Sequence, residues 1–181
     1  LEGSSSSVIV EADEFDRSFL HLYPNWALVS SMDPDHLDTY GTRLNLEASF
    51  KEFTGRIESK QVIAREDLEI DALQTYALNS ETADFSAKNI QVIDGAYYFD
   101  IIYPGGFCKG VQSGLAGIHN VENAIGAFSM AFNQGISVEG ITRAISIFSG
   151  VKRRFEYHVN TKNKVYIDDY AYHPKEIEIS I

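Results

Sequence analysis

The sequence is poor in the residues that staple or anchor a chain. Its 181 residues include one cysteine, Cys108, so no intrachain disulfide can form and nothing favours a secreted, oxidising setting. No run of about 18 apolar residues occurs, as a membrane-spanning helix requires. The opening residues carry no basic-then-apolar pattern either, and a cytoplasmic setting is expected. Positive charge is scarce, with 15 Lys and Arg against 26 Asp and Glu and a net charge of −11. That balance argues against nucleic acid or an anionic membrane as a partner. The phosphate-cradling pattern G-x-x-x-x-G-K-[ST] is also missing, so no such loop lies within these residues.

What is present fits a globular α/β domain. Apolar residues make up 44% and aromatic residues 12%, enough for a sizeable core. Val8-Ile9-Val10 and Ala27-Leu28-Val29 read as short strands buried on both faces, as in a parallel sheet. The stretch between them is long enough for a helical crossover. Each run leads into carboxylates, Glu11-Ala12-Asp13-Glu14-Phe15-Asp16 after the first and Asp33-Pro34-Asp35-His36-Leu37-Asp38 after the second. Parallel strands would bring Glu11 and His36 to one carboxyl edge, where open α/β sheets bind ligands. Two readings stand: a metal–nucleotide site, or two solvated acidic loop ends.

Periodicity predicts a helix over 44–53, a strand at Val62-Ile63-Ala64, a short helix over 67–73 and a strand at 75–78. Two apolar runs around Asp94-Gly95 predict a hairpin, expected as a small antiparallel sheet beside the main one and ended by Pro104-Gly105-Gly106. The clearest helix follows Gly117, with Val121, Ile125, Phe128 and Phe132 on one face, Asn120 as its cap and Gly135 as its stop. Ser137 is expected to cap the next helix, with Ile141, Ala144, Ile145 and Phe148 inward. A strand at 165–167 then runs into Asp168-Asp169. Leu1–Ser7 reads as a linker, and Pro174 as the start of a helix in which these residues stop, so a piece of a longer protein is expected.

Asn120 and Asn123, three apart on a helix, could cap it or present carboxamides to the edge of an adenine. Arg153-Arg154 could pair with Glu156 or clamp a purine or phosphate. Asp169 could sit in a solvated turn or meet ribose hydroxyls. His119, His158 and His173 have no zinc-like spacing.

In order, Glu11-Ala12-Asp13-Glu14-x-Asp16-x-Ser18-Phe19-Leu20, Asp35-His36-Leu37-Asp38-Thr39-Tyr40, His119-Asn120-x-x-Asn123-Ala124, Arg153-Arg154-Phe155-Glu156 and Asp168-Asp169-Tyr170-Ala171-x-His173-Pro174 resemble the Mur ligases. Ser18-Phe19-Leu20 and Asp38-Thr39-Tyr40 are more similar to the alanine-adding branch than to the branch that recycles murein tripeptide. The resemblance implies most of a central ATP-binding domain over 1–172, without its first strand and phosphate loop, and the start of a hinge and C-terminal domain over 173–181. The implied fold is a mostly parallel sheet flanked by helices, with a small antiparallel side sheet. The implied reaction uses ATP and Mg2+ to activate the carboxylate of UDP-N-acetylmuramate as an acyl phosphate, which the amine of L-alanine attacks. By position in the motifs, Glu11 and His36 are implied as catalytic metal holders. Asn123 and Arg154 are implied at adenine and Asp169 at ribose, with Asn120 and His119 beside them. Lys51 has the spacing of a carbamylated lysine found in some muramyl ligases and is not assigned that role. Tyr172 stands where a second histidine is usual. A nucleotide- or metal-binding module without catalysis is the alternative from another class.

Overall fold

The computed structural model describes residues 7–33, 37–57, 61–154, 156–171 and 177. Six strands form the main sheet in strict chain order: β1 (Ala27–Val29), β2 (Val62–Arg65), β3 (Gln74–Leu78), β4 (Phe85–Ile93), β5 (Ala96–Tyr103) and β6 (Gly106–Gln112). The first three junctions are parallel and the last two antiparallel. The predicted hairpin is present, but it continues the main sheet. The separate small sheet is instead a later antiparallel pair, β7 (Glu156–Thr161) and β8 (Lys164–Asp168).

Side-chain alternation along β2 sorts two cores, one on each face of the sheet. Ile63 joins Tyr76, Phe85, Phe99 and Ile101 beneath α3 (Ile118–Asn133) and α4 (Val138–Ile147). Val62 and Ala64 face the other way, onto Phe19, Leu20, Phe53 and Ile57. That second layer is α2 (Arg43–Gly55) and a 3₁₀ segment, Phe15–His21, kinked at Asp16 and Arg17, whose φ angles are 54° and 58°. Phe128 and Phe132 of α3 meet Phe85 and Tyr103 with ring centroids 5.3–6.2 Å apart. Deleting one such buried ring costs about 3–5 kcal/mol. Gly126 lets α3 approach the sheet, since a Cβ there would lie 3.1 Å from the Tyr76 ring and 3.3 Å from Leu28.

Several expectations are corrected. Val8–Val10 is no strand: the segment carries no regular structure, with Val8 85% and Ile9 98% exposed. β1 is the sheet's edge strand, and no described residue pairs with its outer side. Residues 67–73 form no helix, because their backbone is engaged elsewhere. Glu66 N–H donates to Tyr76 O at 3.0 Å and Leu73 N–H to Val62 O at 2.9 Å, so the loop extends the β2–β3 ladder. With only three paired rungs there, the return spans about 7 Å and needs no crossover helix. β6 was not anticipated after Pro104-Gly105. α4 has its Ser137 cap, the Oγ accepting from Gly140 N–H at 3.2 Å, and buries Ile141, but Ala144 and Phe148 are exposed. The helix expected from Pro174 lies outside the described residues, apart from a helical Ile177.

Both irregularities in the antiparallel half are pinned by one carboxylate. Asp100 accepts from Asn89 Nδ2 at 2.7 Å and from Gly110 N–H at 2.8 Å, at the register breaks of β4–β5 and β5–β6. These hydrogen bonds hold its carboxyl below the usual range.

Candidate functional site

The carboxyl ends of β1 and β2 open onto a cleft of ≈ 290 Å³ lined by Met32, Asp33, Arg43, Arg65, Asp67 and Glu69, among others. Beyond β1, the Ser31 hydroxyl donates to Asp33 Oδ2 at 3.0 Å and accepts Asp33 N–H at 2.9 Å, which fixes the turn. Arg65, the last residue of β2, gives Nε and Nη2 to the two Asp67 oxygens at 2.6 and 3.0 Å. Its Nη1 lies 3.5 Å from Glu122 Oε2 on α3.

The acidic segment 11–16 is held in a different way from the one expected. Glu11 is exposed and at no strand's end, and His36 lies outside the described residues. Their expected juxtaposition at neighbouring strand ends therefore fails at Glu11, because Val8–Val10 is not paired. The segment is anchored instead by α1 (Leu37–Tyr40), where the Tyr40 hydroxyl donates to Glu14 O. Asp13 Oδ1 accepts Phe15 N–H at 2.8 Å, which starts the 3₁₀ turn. Burial, followed by the nearby Glu14 carboxylate, raises the Tyr40 phenol above its ordinary value.

α3 begins differently from its expected start. Gly117, at φ 102°, is its N-cap, and a Cβ there would fall 2.5 Å from the His119 ring. Asn120 is therefore inside the helix, and its Nδ2 donates back to Ala116 O at 2.7 Å. Asn123 is exposed. Glu122 falls on the fifth helical residue, past the first turn, so its partner is Arg65 more than the helix dipole. His119 Nδ1 is buried with no partner among the described residues. Burial lowers the imidazole's pKa, against the opposing pull of Asp169 and then Glu122.

Arg153-Arg154 and Asp168-Asp169-Tyr170 are brought together through the backbone. Arg153, at φ 60°, donates its N–H to Glu156 Oε2 at 2.9 Å, and its carbonyl accepts Tyr170 N–H at 2.8 Å. Glu156 thus caps a turn. On the hairpin, His158 Nε2 sits 3.8 Å from Glu156 Oε2 and 3.7 Å from Asp168 Oδ2, a cluster of one imidazole and two carboxylates.

Of the sequence-predicted residues, Asp169 lies close enough for its carboxylate to act on the His119 ring, and Asn120 and Asn123 stand on the same opening turns as His119. Arg154 lies in the turn tied to Tyr170, next to Asp169. Asp169 follows a strand of the small sheet, not of the main parallel one. Arg65 was not singled out, and Glu122 was expected only to complement the helix dipole; the available signal was a lone arginine ending a buried apolar run.

A parallel-edged sheet with a polar cleft at its carboxyl edge and helices on both faces defines an open α/β domain. Residues 2–131 match the Mur ligase middle domain, and the chain belongs to that family. It is 45% identical over 179 residues to a UDP-N-acetylmuramate–L-alanine ligase of Flavobacterium johnsoniae, a match covering 98% of this chain and 39% of that relative. The chain thus spans about two fifths of the length of the curated relatives it matches. Among solved structures, a UDP-N-acetylmuramate–alanine ligase from Thermotoga maritima superposes with TM-score 0.77 at 21% identity, covering 93% of this chain and 40% of that one. A MurF ligase from Thermotoga maritima in complex with ADP gives TM-score 0.74 at 17% identity, covering 90% and 40%.

Proposed function

We propose that these residues are the nucleotide-binding part of an ATP-dependent ligase that joins L-alanine to UDP-N-acetylmuramate, in the cytoplasm, for peptidoglycan precursor synthesis. The observation carrying the nucleotide reading is the buried His119 Nδ1, without a partner among the described residues, at a glycine-capped helix start, with Asp169 in electrostatic reach. An orphaned buried nitrogen is costly unless a ligand completes it. The alanine reading is supported by the identity to the Flavobacterium johnsoniae ligase along nearly the whole chain. Residues 1–172 are proposed as central domain and 173–181 as the start of the next.

In this reading His119, Asn120, Asn123 and Arg154 face the base and Asp169 the ribose. Arginine and carboxamide groups suit the planar, donor–acceptor edge of adenine. For Mg2+, the exposed carboxylate of Glu11 is a hard oxygen donor of the right kind; His36, the second holder that the motif implies, lies outside the described residues. The ion would supply charge neutralisation on the transferring phosphoryl group. The chain's own acidic excess makes that neutralisation necessary for an anionic substrate.

The test is ADP release by the full-length protein with UDP-N-acetylmuramate present, L-alanine being varied against murein tripeptide. Dependence on L-alanine is expected. Dependence on tripeptide would move the assignment to the recycling ligases, and no release with either would leave a binding module.

A further inference from the structure

We propose that Arg65 is a positioning residue of the nucleotide wall: locked by Asp67, its guanidinium holds Glu122 and so fixes the opening turns of α3, which carry His119, Asn120 and Asn123. Its purpose, though not its geometry, rests on the nucleotide reading above.

The two-point contact with Asp67, at 2.6 and 3.0 Å, sets the plane of the guanidinium and leaves Nη1 directed at Glu122 Oε2, 3.5 Å away. A lysine has one point charge and cannot serve both carboxylates in fixed directions. The Arg65 and Glu122 side chains are only 23% and 28% exposed, so water screens this pair less than an open surface pair. Tyr76, fully buried on β3, lies against the same group; burial and then Glu122 push its pKa up to about 12, with Arg65 opposing. One arginine thus joins the end of β2, the loop after it and α3. Without it, the Glu122 charge would stand unbalanced beside His119 and Asn123, where an anionic ligand has to approach.

The groups acting on His119 are its burial, Asp169 and Glu122, with Arg65 and Asp67 acting through Glu122. The experiment is an NMR titration of the His119 imidazole in the full chain, with no nucleotide added. Arg65→Met should raise the proton affinity of His119 about 3- to 10-fold, as an unscreened carboxylate gains hold of the ring. Arg65→Lys should raise it less, and Arg65→Met combined with Glu122→Gln should return it to about the wild-type value. An unchanged His119 in folded Arg65→Met would overturn the proposal. Glu122→Gln alone is the second measure, expected to speed amide exchange over 118–123 about tenfold; unchanged exchange would also overturn it. In the full-length enzyme, Arg65→Lys should raise KM for ATP with kcat nearly kept. A shifted His119 with an unmoved KM would count against the nucleotide reading and leave the hold on Glu122 standing.

Discussion

The Tyr40 hydroxyl donates to the main-chain carbonyl of Glu14, 26 positions earlier in the chain. Through this bond Tyr40, the last residue of the 35–40 motif, reaches the acidic 11–16 motif, although no strand carries the latter. Tyr40→Phe keeps the ring and removes the donor. A loss of about 0.5–1.5 kcal/mol is expected, the ordinary worth of one such bond. Urea unfolding would measure it, and faster exchange of the Arg17 and Phe19 amides, which bond Glu14 and Asp13 carbonyls, would locate it.

Tyr76 predicts an alkaline limit. Its folded pKa of about 12 lies above the ordinary 10.0, so the folded chain keeps the proton longer than the unfolded one. The stability this contributes is complete below pH 10 and is lost as pH rises towards 12. About 1.4 kcal/mol should be gone by about pH 11. Unfolding midpoints of wild type and Tyr76→Phe, compared at about pH 8 and pH 11, check this; parallel shifts in both would refute it.

Asn123→Ala in the full-length enzyme should raise KM for ATP more than KM for the sugar nucleotide. One good bidentate base contact is worth about 1–3 kcal/mol. Because Asn123 is exposed, stability should scarcely change. Equal effects on both substrates would mark it as structural.

These 181 residues by themselves should bind MgATP more weakly than about 10 μM, roughly −7 kcal/mol. They contain no phosphate-cradling loop, and a net charge of −11 opposes a polyphosphate. Calorimetry decides it, and tighter binding would show that the adenosine side and metal suffice.

Local periodicity made much of the fold legible. β2, β3, the β4–β5 hairpin, α2 and α3 each carry their own pattern of apolar spacing. Val8–Val10 has the composition of a strand, yet a strand exists only as half of a pair, and pairing is invisible in three residues. β6 escaped notice because Gly106, Lys109 and Gly110 blur its alternation, while its partner β5 supplies the order. The motifs pointed to His119 and Asp169, whose proximity depends on how the 153–170 segment folds back. Arg65 and Glu122 meet only because β2 ends beneath the start of α3, and no spacing rule encodes that meeting.

A sheet whose strands lie in the order of their synthesis has a consequence for how it assembles. Each new strand of β1–β6 finds its partner already made, directly before it in the chain. Loop closure between successive strands is cheapest at the two-residue turns Asp94-Gly95 and Pro104-Gly105, and dearest across the helical connection from β1 to β2. Low contact order within the sheet favours fast formation. The β4–β5–β6 meander can zip locally, and the parallel strands can be added outward from it. The β7–β8 hairpin is built separately from that sheet, so the approach of Asp169 to His119 depends on a second unit that follows it in the chain.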